Sequence, residues 1–267
     1  MTPSREWSRR DLLALGAAAS VASLAGCTTG ETTGSADRGV TGSGTGATPS
    51  PRSPAEPGTA HSTTGSAVEV IRGSATTNSV ALTFHGAGDI ALARSLLREI
   101  ERAHGVATVF AVGTWLNTYP EMAKRILAGG HLVGNHTMHH KPMRRLTPGQ
   151  SFDEIARGAA VVRQLTGSTG WFRPSGTPHA TPAILAAAGR VGYRTSVSFD
   201  VDPADYSDPG AKVVVSRVLA GVRPGSIISL HLGHAGTLAA MPAILDGLAQ
   251  RKLIAVTVAT LLPGVSA

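Results

Sequence analysis

Residues 81–89 read ALTFHGAGD, an apolar run that stops on a histidine, two glycines and an acid. A run of this kind reads as a buried strand that delivers polar groups into the loop after it. Residues 90–103 follow, where Ile90, Leu92, Leu96, Leu97 and Ile100 keep helical spacing. The same alternation continues along the chain. Strands are expected at 80–84, 108–112, 171–172, 193–197, 226–230 and 254–258, and helices at 90–103, 120–128, 152–165, 182–188, 213–220 and 241–250. Repeated strand–helix units favour a parallel sheet with helices outside it. Polar residues gather just after residues 84, 133, 172, 197 and 230, and closure into a distorted parallel (β/α) barrel of about seven strands would bring those ends to one face. An open doubly wound sheet is the competing arrangement.

Upstream of this alternation the character of the chain changes. Ser8-Arg9-Arg10-Asp11-Leu12-Leu13 resembles a twin-arginine export signal, and Leu24-Ala25-Gly26-Cys27 matches a lipobox. The expected organisation is a signal peptide over 1–26, a lipidated Cys27 with a Gly/Ser/Thr/Pro linker over 27–66, and a catalytic domain over 67–267. Cys27 is the single cysteine, which excludes an internal disulfide and a thiolate metal cluster. The linker composition cannot bury enough apolar surface to offset its ordering entropy. An exported lipoprotein on the outer face of the cytoplasmic membrane, or a secreted protein, is therefore expected.

The formal charge is +7, and residues 1–66 hold five basic and five acidic side chains, so the domain keeps the whole excess. No Lys/Arg-rich run with interleaved aromatics accompanies it, which argues against nucleic acid and for an anionic envelope polymer as neighbour.

Chemistry concentrates in a few stretches. In Gly134-Asn135-His136-Thr137-Met138-His139-His140, the spacing of His136 and His140 suits two imidazoles on one helical turn facing one cation, with His139 off that face. His231 closes the expected strand 226–230, and its ordinary pKa suits proton donation to a leaving group. Asp200, Asp202 and Asp205 lie near another strand end, where one of them could hold the His231 ring. Arg173 precedes Pro174 and would be costly to bury without a carboxylate partner.

These residues resemble the NodB-like polysaccharide deacetylases, carbohydrate esterase family four, over about residues 68–262. His136-Thr137-Met138-His139-His140 is similar to H-[ST]-x-x-H, Arg173-Pro174-Ser175-Gly176 to a shortened R-P-P-x-G, Asp202-Pro203-Ala204-Asp205-Tyr206 to D-x-x-D-[WY], and Ser229-Leu230-His231 to the closing L-x-H motif. The resemblance implies metal ligands at His136 and His140, a base-positioning role for Arg173, an acid at Asp205 beside His231, and His231 as general acid. The first motif departs from the family. T-F-D-D-G, whose first Asp is the base and second a metal ligand, is replaced by Thr83-Phe84-His85-Gly86, with an acid only at Asp89.

Two readings follow from that departure. Asp89 could bend back to complete the metal site with His136 and His140 while His85 serves as base or an extra ligand, or the site has lost its base and the protein is a weak or inactive relative. The implied activity is hydrolysis of acetyl groups on an N-acetylated or O-acetylated polysaccharide such as peptidoglycan or chitooligosaccharide, with a divalent cation, zinc by its nitrogen-rich ligands. A backbone N–H near Ser175 would serve the oxyanion. The alternatives are a catalytically impaired, membrane-tethered glycan-binding protein and an amidase for a non-sugar amide. A monomer anchored to the membrane through Cys27 is expected, with Trp115, Trp171 and Tyr206 as the aromatics available to a short cleft.

Overall fold

The computed structural model describes residues 65–267. The signal, the Cys27 anchor and nearly all of the linker lie outside the described residues. The strands are β1 (Val68–Val70), β2 (Ser79–Gly86), β3 (Thr108–Ala111), β4 (Leu132–Asn135), β5 (Thr195–Val197), β6 (Ile227–His231) and β7 (Ile254–Val256). The helices are α1 (Ile90–Arg102), α2 (Gly113–Thr118), α3 (Glu121–Ala128), α4 (Pro148–Thr166), α5 (Pro182–Val191), α6 (Ala211–Gly221), α7 (Ala235–Gln250) and α8 (Val258–Leu261). Among the described residues, no helix is long and apolar enough to cross a membrane.

All ladders are parallel. The larger sheet runs β4-β3-β2-β6, with β7 beside the first half of β2, and β1 pairs with β5 in a smaller one. The ladders alone do not form a closed ring. Single bridges carry the succession onward, from Asn135 to Phe172, from Phe172 to Ser196, and from Val201 to Ile228 of β6. The result is the distorted parallel barrel expected, with the strand foreseen at 171–172 reduced to one bridging residue. The strand at β1 and the short helix α2 were not foreseen.

The period of two along each strand decides what faces where. In β2, Val80, Leu82 and Phe84 join the large cluster under the helices, which includes Leu96, Leu97 and Ile100 of α1 and Met241 and Ile244 of α7. Fully burying such side chains contributes roughly 1.5–3 kcal/mol each. Ala81 instead joins the second, inner cluster with Phe110, Val197 and Ile227, and His85 keeps that same parity. In β6, Ile228 and Leu230 likewise belong to the outer cluster, which sends Ser229 and His231 inward. The register between β2 and β6 pairs Thr83 with Ser229 and His85 with His231, so the two histidines end at one height.

Local signals set the helix starts. Thr147 and Gln150 form a reciprocal capping box with Pro148 in the first turn, so α4 begins four residues earlier than the apolar spacing suggested. Pro242 reads as a first-turn proline, yet α7 runs through it, because Thr237, Ala240, Met241 and Ile244 are all buried along that helix.

Candidate active site

His85 is the penultimate residue of β2, His136 follows β4 directly, and His140 lies four residues further along the same loop. Their ligand atoms fall within 4.8 Å of one another, forming a three-histidine group that could hold a metal ion. His85 Nδ1 lies 2.7 Å from His136 Nε2. The far side of each of these two rings is fixed. His136 Nδ1 donates to the carbonyl of Arg173 at 3.0 Å, and His85 Nε2 meets Ser229 Oγ at 2.9 Å. The carbonyl fixes the proton of His136 on Nδ1 and leaves its Nε2 as a lone-pair donor, which accepts from His85 Nδ1–H, whereas the Ser229 hydroxyl can donate or accept and fixes no tautomer of His85.

Burial is the first cause that holds all three rings below the ordinary histidine pKa. At His85 the charges of His136, His231 and Arg173 add to it, at His136 that of His140, and at His140 that of His231. Neutral imidazole is the ligating form.

Asp89 is not part of this group. Its carboxylate is the N-cap of α1, with Oδ1 accepting from the backbone N–H groups of Ala91 and Leu92 at 2.8 Å each, and the residue is exposed. Asp is a preferred cap because it satisfies N–H groups that have no partner inside the helix. His85 stands in the group where Asp89 was expected.

The convergence of His136 and His140 also arises differently from expectation. Residues 136–142 are not helical. Thr137 and His140 take left-handed φ values of 66° and 56°, an uncommon conformation for side chains of their kind. Neighbours hold the loop in it: Thr137 N–H donates to Asn135 Oδ1, Met138 N–H to the Glu154 carbonyl, and His139 N–H to Glu154 Oε2. The His139 ring turns away to Glu154 Oε1 at 2.8 Å.

Beside the triad stands a second constellation. His231 stacks on His85 with ring centroids 4.3 Å apart and 11° between planes. Asp205 holds it twice, accepting from His231 N–H through Oδ2 and meeting Nδ1 through Oδ1, both at 2.8 Å. Thr237 Oγ1 donates to Asp205 Oδ2 at 2.6 Å. With Nδ1 occupied by a buried carboxylate, the free nitrogen of His231 is Nε2.

Arg173 is fully buried but does not face a carboxylate. It donates from Nε to the Val197 carbonyl and from one terminal nitrogen to that of Ser198, and lies 4.3 Å over the Phe110 ring. Its other terminal nitrogen has no hydrogen-bond partner among the described residues. Burial pulls its pKa down to about 9, with the Asp202 charge opposing. Backbone carbonyls and an aromatic face take the place of the expected acid, because the strand ends around it present those groups.

A cavity of about 540 Å³ opens over these side chains, lined by His85, His140 and His231 and further by Thr177, Asp202, Tyr206 and His234. This volume lies within the usual range for small-ligand pockets. Of the three aromatics considered for the cleft, Tyr206 is 54% exposed and lies edge-on to His231, whereas Trp115 and Trp171 are buried in the core. The roles of Ser229, Thr237 and Glu154 were not anticipated. Ser229 could have been found from parity alone, since it stands two residues before His231 on one strand.

The sequence and the fold are matched in known proteins. The family model for polysaccharide deacetylase matches residues 72–196. A chitooligosaccharide deacetylase of Bradyrhizobium sp. (strain ANU 289) is 34% identical over 160 residues, 59% of this chain and 72% of that protein. A peptidoglycan-N-acetylglucosamine deacetylase of Bacillus cereus is 29% identical over 187 residues, 68% of this chain and 87% of the other. Among solved structures, BA3943, a CE4 family pseudoenzyme from Bacillus anthracis, superposes with a TM-score of 0.69 at 23% identity, covering 76% of this chain and 71% of its own, a likeness of fold. The chain belongs to the polysaccharide deacetylase family, with a NodB-like fold.

Proposed function

We propose that this chain is a metal-dependent deacetylase of an N-acetylated or O-acetylated saccharide of the cell envelope, its cation held by His85, His136 and His140. One observation carries the reading: three imidazoles converge within 4.8 Å, two of them lining a cavity and His136 buried behind them, next to a carboxylate-held histidine. Three histidines with an open position are an established ligand set for catalytic zinc, and nitrogen donors favour zinc over magnesium or calcium. A cation there would polarise an acetyl carbonyl and acidify water.

The chain's own residues supply the rest. Asp89 is committed to α1 and His85 to the triad, so neither is free to act as base. His231 Nε2 then serves both steps, taking the proton of the attacking water as the new C–O bond forms and giving it to the sugar nitrogen or oxygen as the acetyl bond breaks. Asp205 stabilises the ring while it is charged and keeps Nε2 toward the cavity. Tyr206, exposed beside His231, offers an aromatic face to the sugar. Acetylated glycans such as peptidoglycan or chitooligosaccharide fit this reading, as do a lipid anchor at Cys27, placement outside the cytoplasmic membrane and action as a monomer.

Acetate release from chitooligosaccharide, peptidoglycan and acetylxylan, together with metal content by mass spectrometry, tests the proposal. His136→Ala is expected to abolish both. The replacement of both carboxylates of the first motif by His85 and Gly86 favours a second reading, a glycan-binding protein without turnover. It predicts that glycan binding survives loss of the histidines and that the unaltered protein releases no acetate from any of the three polymers.

A further inference from the structure

Next to the His231–Asp205 pair lies a second pair of the same composition that the reaction above does not use. His234 Nδ1 is 2.9 Å from Asp208 Oδ1. Asp205 and Asp208 bracket one short 3₁₀ turn, Asp205–Ser207, and Asp208 holds a left-handed φ of 49° at its end. His231 and His234 bracket the connection from β6 to α7. The two rings are about equally exposed and both line the cavity, but Asp205 is buried whereas Asp208 is exposed; His234 stands edge-on to His231 at 5.7 Å between ring centroids.

The position of His234 in the chain makes its orientation informative. It is the N-cap residue of α7, a 16-residue helix, yet its side chain makes no cap hydrogen bond. Asp89, Thr147, Thr181 and Thr257 all cap their helices with a side-chain oxygen. At position 234, as at Val112, Pro120 and Gly210, no side chain caps the helix, and the ring is held by Asp208 facing the cavity. With Nδ1–H donated to the carboxylate, Nε2 has no partner among the described residues and presents a lone pair to whatever fills the cavity.

We propose that His234, oriented by Asp208, is a substrate-positioning residue that accepts a hydrogen bond from a hydroxyl group of the saccharide whose acetyl group lies at the triad. The proposal rests on the deacetylase reading and adds to it a contact that recognises the sugar rather than the acetyl group. Tyr206 gives the sugar a face to lie on, and His234 gives it a direction.

The test is the binding of chitotetraose by calorimetry alongside acetate release, for the unaltered protein and for His234→Ser, His234→Gln and Asp208→Asn. Loss of one such hydrogen bond should weaken binding about tenfold. His234→Ser is the informative variant, because serine is a preferred N-cap. It should raise the melting temperature while weakening chitotetraose binding and raising KM more than it lowers kcat. His234→Gln should restore part of the affinity, and Asp208→Asn should weaken binding to a smaller extent.

Unchanged affinity in His234→Ser overturns the proposal even where the unaltered protein releases acetate. Binding that depends on His234 without any acetate release supports the proposal and overturns the deacetylase reading instead. Absence of both binding and turnover in the unaltered protein overturns the two together.

Discussion

Asp89 and Gly86 show how one residue decides between a rebuilt site and a vacated one. If Asp89 acts only as the N-cap of α1, Asp89→Ala should cost about 1 kcal/mol of stability and leave metal content unchanged. Denaturant titration and metal analysis of the same preparation check both halves. Gly86 occupies the position at which the family pattern has a metal-binding Asp. A Cβ there would come within 2.7 Å of Val109 Cγ1 and 2.9 Å of the Ala111 Cα, because β3 passes close beside it. Gly86→Asp is therefore expected to cost on the order of 1–3 kcal/mol by overpacking and to gain no metal affinity. Tighter metal binding in that variant would mean that the site is a depleted form of the family arrangement rather than one organised around His85.

At the scale of elements, the alternation of apolar and polar residues was readable in the sequence, and with it most of the site. The parity that buries Val80, Leu82 and Phe84 under the helices turns His85 to the interior, and the same count turns Ser229 and His231 inward on β6. What could not be read was which of two uses a polar residue would serve. Asp89 precedes a helix, and helix capping and metal binding call on the same carboxylate oxygens. Spacing brought His136 and His140 together for a reason the structure does not use, since the loop converges through left-handed residues tied to Asn135 and Glu154 and not through a helical turn. The start of α4 was written in Thr147, Pro148 and Gln150, a capping signal that apolar spacing passes over. Arg173 was expected beside an acid because a buried cation needs compensation. Two carbonyls and the Phe110 ring provide it, and their proximity follows only from how β5 and β3 lie in the barrel.

Across the whole domain, burial of neutral histidines ties stability to acidity. His85, His136, His140 and His131 are all held below the ordinary histidine value, first of all by burial, and at His131 this outweighs the opposing pull of Glu101. A group whose folded pKa is depressed binds fewer protons folded than unfolded. The stability it contributes is therefore complete above the unfolded value near 6.5 and is lost as pH falls toward the folded value. Metal-free protein is expected to lose stability steadily from about pH 7 to pH 5 in urea titrations, and saturating zinc should shift the onset of that loss to lower pH. A flat profile over this interval would contradict the neutral state assigned to these rings.

The three bridges at Phe172, Ser196 and Val201 are single pairings, in contrast to the continuous ladder between β2 and β6. Cooperative protection is weakest where few pairings support one another. The barrel should therefore breathe along that seam, and amide deuteration at Phe172 and Val201 should outpace that of Leu82 and Leu230. Since Arg173 and Asp205 flank the seam while His85 lies in the ladder between β2 and β6, the wall would be free to yield around the cavity without loosening the strand that carries His85.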